Sequence, residues 1–149
     1  MKVSVDIEIA KSKEIVWSAI TDIENCSNFI SSIIDIQILD QATDGLVGMK
    51  WKEKRLMFGK EASEIMWITE SVENEYYCTR AESHGSVYIT KLSLSEIGGN
   101  AALTMSFTGE AQTFLARVVS ACMGVLIKSS MKKALLKDLE DIKNYAEQS

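Results

Sequence analysis

The chain contains no proline, a single histidine and no apolar run long enough to cross a bilayer, and each absence removes a class of function. The longest strongly apolar stretch, 118–127, includes Ser120 and Gly124 and falls well short of the roughly 20 residues a membrane helix needs. The opening Met1-Lys2-Val3-Ser4-Val5-Asp6 alternates in polarity and lacks the apolar centre of a signal peptide, so the triplet Asn25-Cys26-Ser27 reads as an accidental glycosylation match. Three scattered cysteines, Cys26, Cys78 and Cys122, are odd in number and fit reduced thiols in a cytoplasmic protein rather than a disulfide framework. With His84 the only histidine and no CxxC spacing, the usual ligands cannot assemble a closed zinc site, and no metal or cofactor is expected. A Ser-His-Asp or Cys-His arrangement could use only His84, which stands beside Gly85 in a predicted turn. It reads as an exposed turn residue, with proton transfer at a cavity rim as the alternative. GxSxG, Walker and GxGxxG motifs are all missing. Basic residues are outnumbered, 16 to 21, giving a formal charge of −5 that argues against a nucleic-acid partner. The one basic cluster is Lys50, Lys52, Lys54 and Arg55.

What is present is an ordinary soluble composition, 46% hydrophobic and 25% charged, in 149 residues without repeat, linker or low-complexity tract. That length predicts one domain, 1–149, burying roughly two-thirds or more of its unfolded surface. The polarity period changes along the chain in a definite order. Val3, Val5, Ile7 and Ile9 alternate with polar residues as a half-buried strand. Ser12 then offers an N-cap to Ile15, Val16, Ala19, Ile20 and Ile23 at helical spacing, with a break near residues 25–28. Ile34, Ile36 and Ile38 alternate again, and further strands are expected at about 49–57, 61–69, 76–83, 87–95 and 101–111. Gly59, Glu73-Asn74-Glu75, His84-Gly85-Ser86 and Gly98-Gly99-Asn100 mark the turns between them. From Gln112 to about Glu147 nothing interrupts a helical pattern carried by Leu115, Val118, Cys122, Val125, Ser129, Leu136, Leu139 and Ala146, with Ile142 beside the line. Such a helix would be roughly 50 Å long and needs a broad surface to lie on. Charges crowd its last third (Lys132, Lys133, Lys137, Asp138, Glu140, Asp141, Lys143), so that part is expected to be the more exposed. The predicted class is α+β: a curved seven-stranded antiparallel sheet wrapped around a long C-terminal helix, with two short helices between the first two strands.

This order resembles the START-like, Bet v 1-like or polyketide cyclase/dehydrase superfamily and its helix-grip fold. The segment Ile9-Ala10-Lys11-Ser12-Lys13-Glu14-Ile15-Val16-Trp17-Ser18-Ala19-Ile20-Thr21-Asp22-Ile23-Glu24-Asn25 resembles the superfamily's opening, where a strand gives way to a helix carrying Val-Trp, Thr-Asp and an acidic-Asn pair. Phe29 sits where an aromatic is common, Ile33 where an aliphatic is, and Ile68-Thr69-Glu70 resembles the ending of the fourth strand. Cys26, where an aromatic is common, and the missing prolines depart from the pattern. The resemblance spans the chain as architecture but about 25 residues as motif. It implies a cavity between sheet and helix without choosing an activity, since lipid and sterol carriers, hormone binders, quinone binders, chaperone activators and polyketide aromatases all use this fold.

Alternation in Met49-Lys50-Trp51-Lys52-Glu53-Lys54-Arg55-Leu56-Met57 puts three lysines on one face of the third strand. Three lysines cannot share a dry interior, so Met49, Trp51, Glu53, Arg55 and Met57 should face the helix. Glu53 and Arg55 are then either a pair beside a cavity or two groups near a strand end that reach solvent. The same reasoning turns Tyr88, Thr90, Leu92 and Leu94 inward on the sixth strand, and Leu103, Met105, Phe107 and Gly109 on the seventh. Small residues (Ala116, Ser120, Ala121, Gly124, Ser129) in the first half of the long helix either close the gap to the sheet or leave volume there. The candidate ligand-binding set is Phe29, Ile33, Trp51, Glu53, Arg55, Met57, Tyr88, Thr90, Met105, Phe107, Cys122 and Leu126. The leading expectation is non-catalytic binding, and carriage, of an apolar or amphipathic small molecule such as a lipid, isoprenoid or polyketide. The alternatives are a polyketide cyclase, aromatase or dehydratase with Glu53 or Tyr88 as general acid/base and Arg55 holding an oxyanion, and a protein-interaction module with a packed interior. Oligomeric state is not readable from the sequence.

Overall fold

The computed structural model describes residues 1–83, 85–111 and 114–149, with residue 111 and residues 114–127 described as backbone only. His84 and the side chains of Cys122 and Leu126 therefore lie outside the described residues. The elements run β1 (Lys2–Ile9), α1 (Lys13–Thr21), a 3₁₀ turn (Ile23–Asn28), β2 (Ile33–Asp40), β3 (Lys50–Met57), β4 (Lys60–Val72), β5 (Tyr76–Ser83), β6 (Ser86–Ile97), β7 (Asn100–Ala111) and α2 (Phe114–Glu147). The seven strands form one antiparallel sheet in the order β1-β7-β6-β5-β4-β3-β2. A longer loop, 41–49, joins β2 to β3, short turns join β3 through β7 into a meander, and β1 closes onto β7 with Val3 opposite Phe107 and Val5 opposite Met105. This is the expected curved open sheet with a C-terminal helix.

The entry helix forms where the sequence places its cap: the Ser12 hydroxyl accepts from the Ile15 backbone N–H, and α1 buries Val16, Trp17, Ala19 and Ile20. Ile15, expected on the same face, is exposed. The break comes at Asp22, three residues before the expected one. The Asp22 carboxylate accepts from the Asn25 side chain, a local polar contact that competes with helix continuation. In β2 the register shifts between Ile33 and Asp35, so Ile33 stays buried while Ile34 turns out to solvent. A bulge of this kind re-phases a strand, and alternation alone had assigned Ile34 to the buried face.

The described part of α2 docks through Met131, Leu135, Asp138, Leu139, Ile142 and Ala146, all buried. Ser129 and Leu136, expected in the buried line, are exposed. Leu135 and Leu136 are adjacent, and the true stripe runs one residue earlier, through Leu135. The charged last third is thus a docking surface as well as a solvated one. Several of its charges are fasteners: Glu147 accepts from the Ala10 backbone N–H at 2.9 Å, Lys143 donates to the Glu8 carbonyl at 2.8 Å, and Asp141 accepts from both the backbone N–H and the hydroxyl of Ser31. These bonds hold the end of α2 across the end of β1 and against the residues just before β2.

Candidate functional site

Between that face and α2 lies a cavity of about 180 Å³. At one water-sized sphere per ~10–15 Å³, it has room for roughly a dozen small-molecule heavy atoms or more. Strand alternation builds its walls. Every second residue of β3 (Trp51, Glu53, Arg55, Met57), β4 (Ala62, Glu64, Met66), β5 (Tyr77, Thr79), β6 (Thr90, Leu92) and β7 (Met105, Phe107) lines it. Ile20, Ile23, Cys26, Phe29, Ile30 and Ile33 close one end, and Met131, Leu135, Asp138 and Ile142 of α2 form the roof. The walls are mostly aliphatic, thioether and aromatic, a lining that adapts to apolar guests.

One polar network interrupts this lining. The Trp51 indole N–H donates to Glu53 Oε1 at 3.3 Å, and Arg55 Nε donates to Glu53 Oε2 at 2.9 Å. Arg55 Nη1 donates in turn to Asp138 Oδ2 at 2.9 Å, tying β3 to α2. The side chains of Glu53, Arg55 and Asp138 are 13%, 20% and 3% exposed, so two carboxylates share one guanidinium away from bulk water. Asp138 Oδ1 is buried and has no hydrogen-bond partner among the described residues. Burial pushes the Asp138 carboxyl above the usual aspartate range and the neighbouring Glu53 adds to this, while Arg55 opposes both. Burial works to lower Arg55, but the carboxylates of Glu53 and Asp138 outweigh it and hold the guanidinium firmly charged. Cys26, buried and near Glu53, is pushed up to about 12 and is a neutral thiol at physiological pH. Tyr77, fully enclosed and donating to the Ile20 carbonyl at 2.8 Å, is raised by burial as well and serves as a neutral wall.

Nine of the twelve residues singled out from the sequence line this one cavity: Phe29, Ile33, Trp51, Glu53, Arg55, Met57, Thr90, Met105 and Phe107. Tyr88 is not among the lining residues. Its ring stacks on Phe107 at 5.6 Å and lies over Gly109, where an added Cβ would sit 3.3 Å from the ring. The glycine opposite lets the tyrosine lie along the sheet. Cys122 and Leu126 lie outside the described side chains. Sequence reasoning missed Tyr77 and Thr79, which β5 alternation places on one face, and above all Asp138. The available signal was phase: Met131, Leu135, Asp138 and Ile142 follow four-three-four spacing, so a carboxylate stands on an apolar stripe. Among the described residues, no cluster of His, Cys, Asp and Glu is arranged to hold a metal ion.

No protein-family model and no curated protein matches the sequence. The structure is similar to many solved ones. A START superfamily protein from Mycobacterium smegmatis superposes with a TM-score of 0.81 at 19% identity, covering 99% of this chain and 97% of that one. A Thermus thermophilus protein gives 0.81 at 13% identity, covering 98% and 97%. The Zhui aromatase/cyclase from a Streptomyces species gives 0.76 at 12% identity, covering 99% and 94%. The chain therefore has the helix-grip fold of START-like and Bet v 1-like proteins. Ara h 8.0201, at a TM-score of 0.76 and 15% identity over 100% of this chain and 99% of that one, shares it.

Proposed function

We propose that the protein binds, and carries, one apolar or amphipathic small molecule in the cavity between sheet and α2. The supporting observation is the cavity itself: about 180 Å³ walled by apolar side chains, where a protein using only its surface would be expected to pack its interior. Affinity comes from burying ligand surface at about 25 cal/mol per Å² before the costs of association. A lipid, isoprenoid or polyketide fragment suits such walls, and the Glu53–Arg55–Asp138 network orients whatever polar end it carries. A formal charge of −5 weighs against nucleic acid as a partner. No described helix is long and apolar enough to cross a membrane, and buried free Cys26 and Cys78 suit a reducing, cytoplasmic setting.

The enzymatic reading draws on the Zhui aromatase/cyclase likeness and on a buried carboxylate beside an apolar pocket. It would give the acid/base role to Asp138 or Glu53, since Tyr88 is turned along the sheet toward Phe107. Titration with the neutral fluorescent dye Nile red tests binding directly. Saturable uptake at one dye per chain, reversed by an aliphatic competitor, is the expected result; a well-folded protein that shows no saturable uptake overturns the proposal.

A further inference from the structure

We propose that the turn between β3 and β4 docks on a lipid surface, with Phe58 entering the bilayer interface and Lys60 meeting an anionic headgroup. The turn is Phe58-Gly59, and both residues have positive φ, 52° and 79°. A phenylalanine there carries two penalties: a left-handed backbone, and an apolar side chain left to water at 61% exposure. Strain kept where Asn or Gly would fit without it points to a use outside the fold. The ring is not alone. Leu56 is exposed, and its backbone N–H donates to the Ser32 carbonyl at 2.9 Å, which sets it beside the start of β2, where Ile34 is exposed too. A Cβ built on Gly59 would meet nothing within 4 Å, so the tip stands in open space.

Charge at the tip has the sign an anionic headgroup attracts. Lys52, Lys54 and Lys60 outnumber the acidic side chains beside them, Glu61 and Asp35. Lys54 engages Glu61 at 3.2 Å, and Lys60, next to the turn, has no ion-pair partner among the described residues. Screening acts within about 8 Å at physiological salt, so the tip meets the surface rather than the chain's formal charge. A lysine stem lies along apolar surface with its ammonium at headgroup level, beside an aromatic that enters the interface. A protein partner fits less well. One ring and two aliphatic side chains cover far less than the roughly 800 Å² per side of a stable protein interface, whereas a lipid surface asks for no matching shape. The position adds a purpose, which rests on the reading that the cavity holds an apolar guest. Met57 and Ala62, inward residues flanking the turn, both line the cavity, and Ala62 is exposed as well, so the cavity reaches the surface beside the tip. A guest poorly soluble in water is then met in the phase that dissolves it.

Flotation of the full chain with phosphatidylcholine vesicles, with and without about one-third phosphatidylserine, tests the docking at about 0.15 M salt. The wild type is expected to bind both, about fivefold more tightly with phosphatidylserine, and Lys60→Gln should lose most of that difference. Phe58→Asn relieves the strained turn and should melt no lower than the wild type, yet lose about tenfold or more in vesicle binding. Phe58→Leu, strained alike but apolar, should keep most of it. Should Phe58→Asn fail to fold, Leu56→Ser on the same tip carries the same expectation of weakened binding. Folded wild type that floats with neither vesicle, or Phe58→Asn that floats as well as the wild type, overturns the inference. Nile red titration without vesicles keeps the two readings apart. Dye uptake without flotation leaves the cavity reading and removes the docking; flotation without dye uptake supports the docking and removes the guest.

Discussion

Arg55 is the residue on which the interior electrostatics turn. It alone, among the described lining residues, answers both Glu53 and Asp138, at 2.9 Å in each case. Removing it strands two carboxylates, and breaking a buried ionic group by deleting one partner costs about 3–5 kcal/mol. Arg55→Ala should therefore lose about that much stability in urea unfolding at pH 7, and part of the loss should return in acid, where the stranded carboxyls take up protons. Combining Glu53→Gln with Arg55→Met should recover much of it, giving a clear coupling in a double-mutant cycle. Simple additivity, with single losses under about 1 kcal/mol, would show the network to be solvent-screened. Asp138 makes a separate prediction. Its folded pKa is raised, so its contribution is present below its unfolded value and is lost as pH rises through the folded one. Relative to Asp138→Asn, the wild type should gain stability as pH falls from neutral toward about 4. A stability difference that is flat, or that moves the other way, would contradict the raised carboxyl.

At the scale of elements, β3 shows how much a strand can disclose. Three lysines at every second position fix which face is wet, and the opposite face then delivers Trp51, Glu53, Arg55 and Met57 to the cavity together. Where local geometry breaks the period, the sequence misleads: the register shift after Ile33 exposes Ile34, and the Leu135-Leu136 pair leaves the phase of α2 open by one residue. Asp138 was hidden for a related reason. It stands in a run of charges that reads as a solvated face, and only the phase of the neighbouring apolar residues sets it apart. The β3–β4 hairpin carries a local conflict of its own. Both central residues of its two-residue turn have positive φ, 52° at Phe58 and 79° at Gly59, and Phe58 is 61% exposed. Asn or Gly suits that conformation, whereas a left-handed Phe costs about 1–2 kcal/mol. Phe58→Asn should accordingly raise unfolding stability by about 1 kcal/mol. A loss of stability instead would mean that the ring contributes packing that outweighs the strain.

For the molecule as a whole, the order of periods along the chain was enough to give the sheet, the long helix and the layer between them. An antiparallel meander closed by its first strand leaves few other arrangements. The site was legible as a face of each strand. What joins those faces, a helix roof bearing a buried carboxylate, depends on tertiary packing that no local pattern encodes. The central claim is that the space under this roof exists for a guest. Native mass spectrometry of the protein purified from its own host tests it most directly. A single small-molecule adduct, one per chain and released on gentle activation, is the result expected. A bare chain mass from freshly purified, folded protein, together with no uptake of added apolar compounds, would contradict the account.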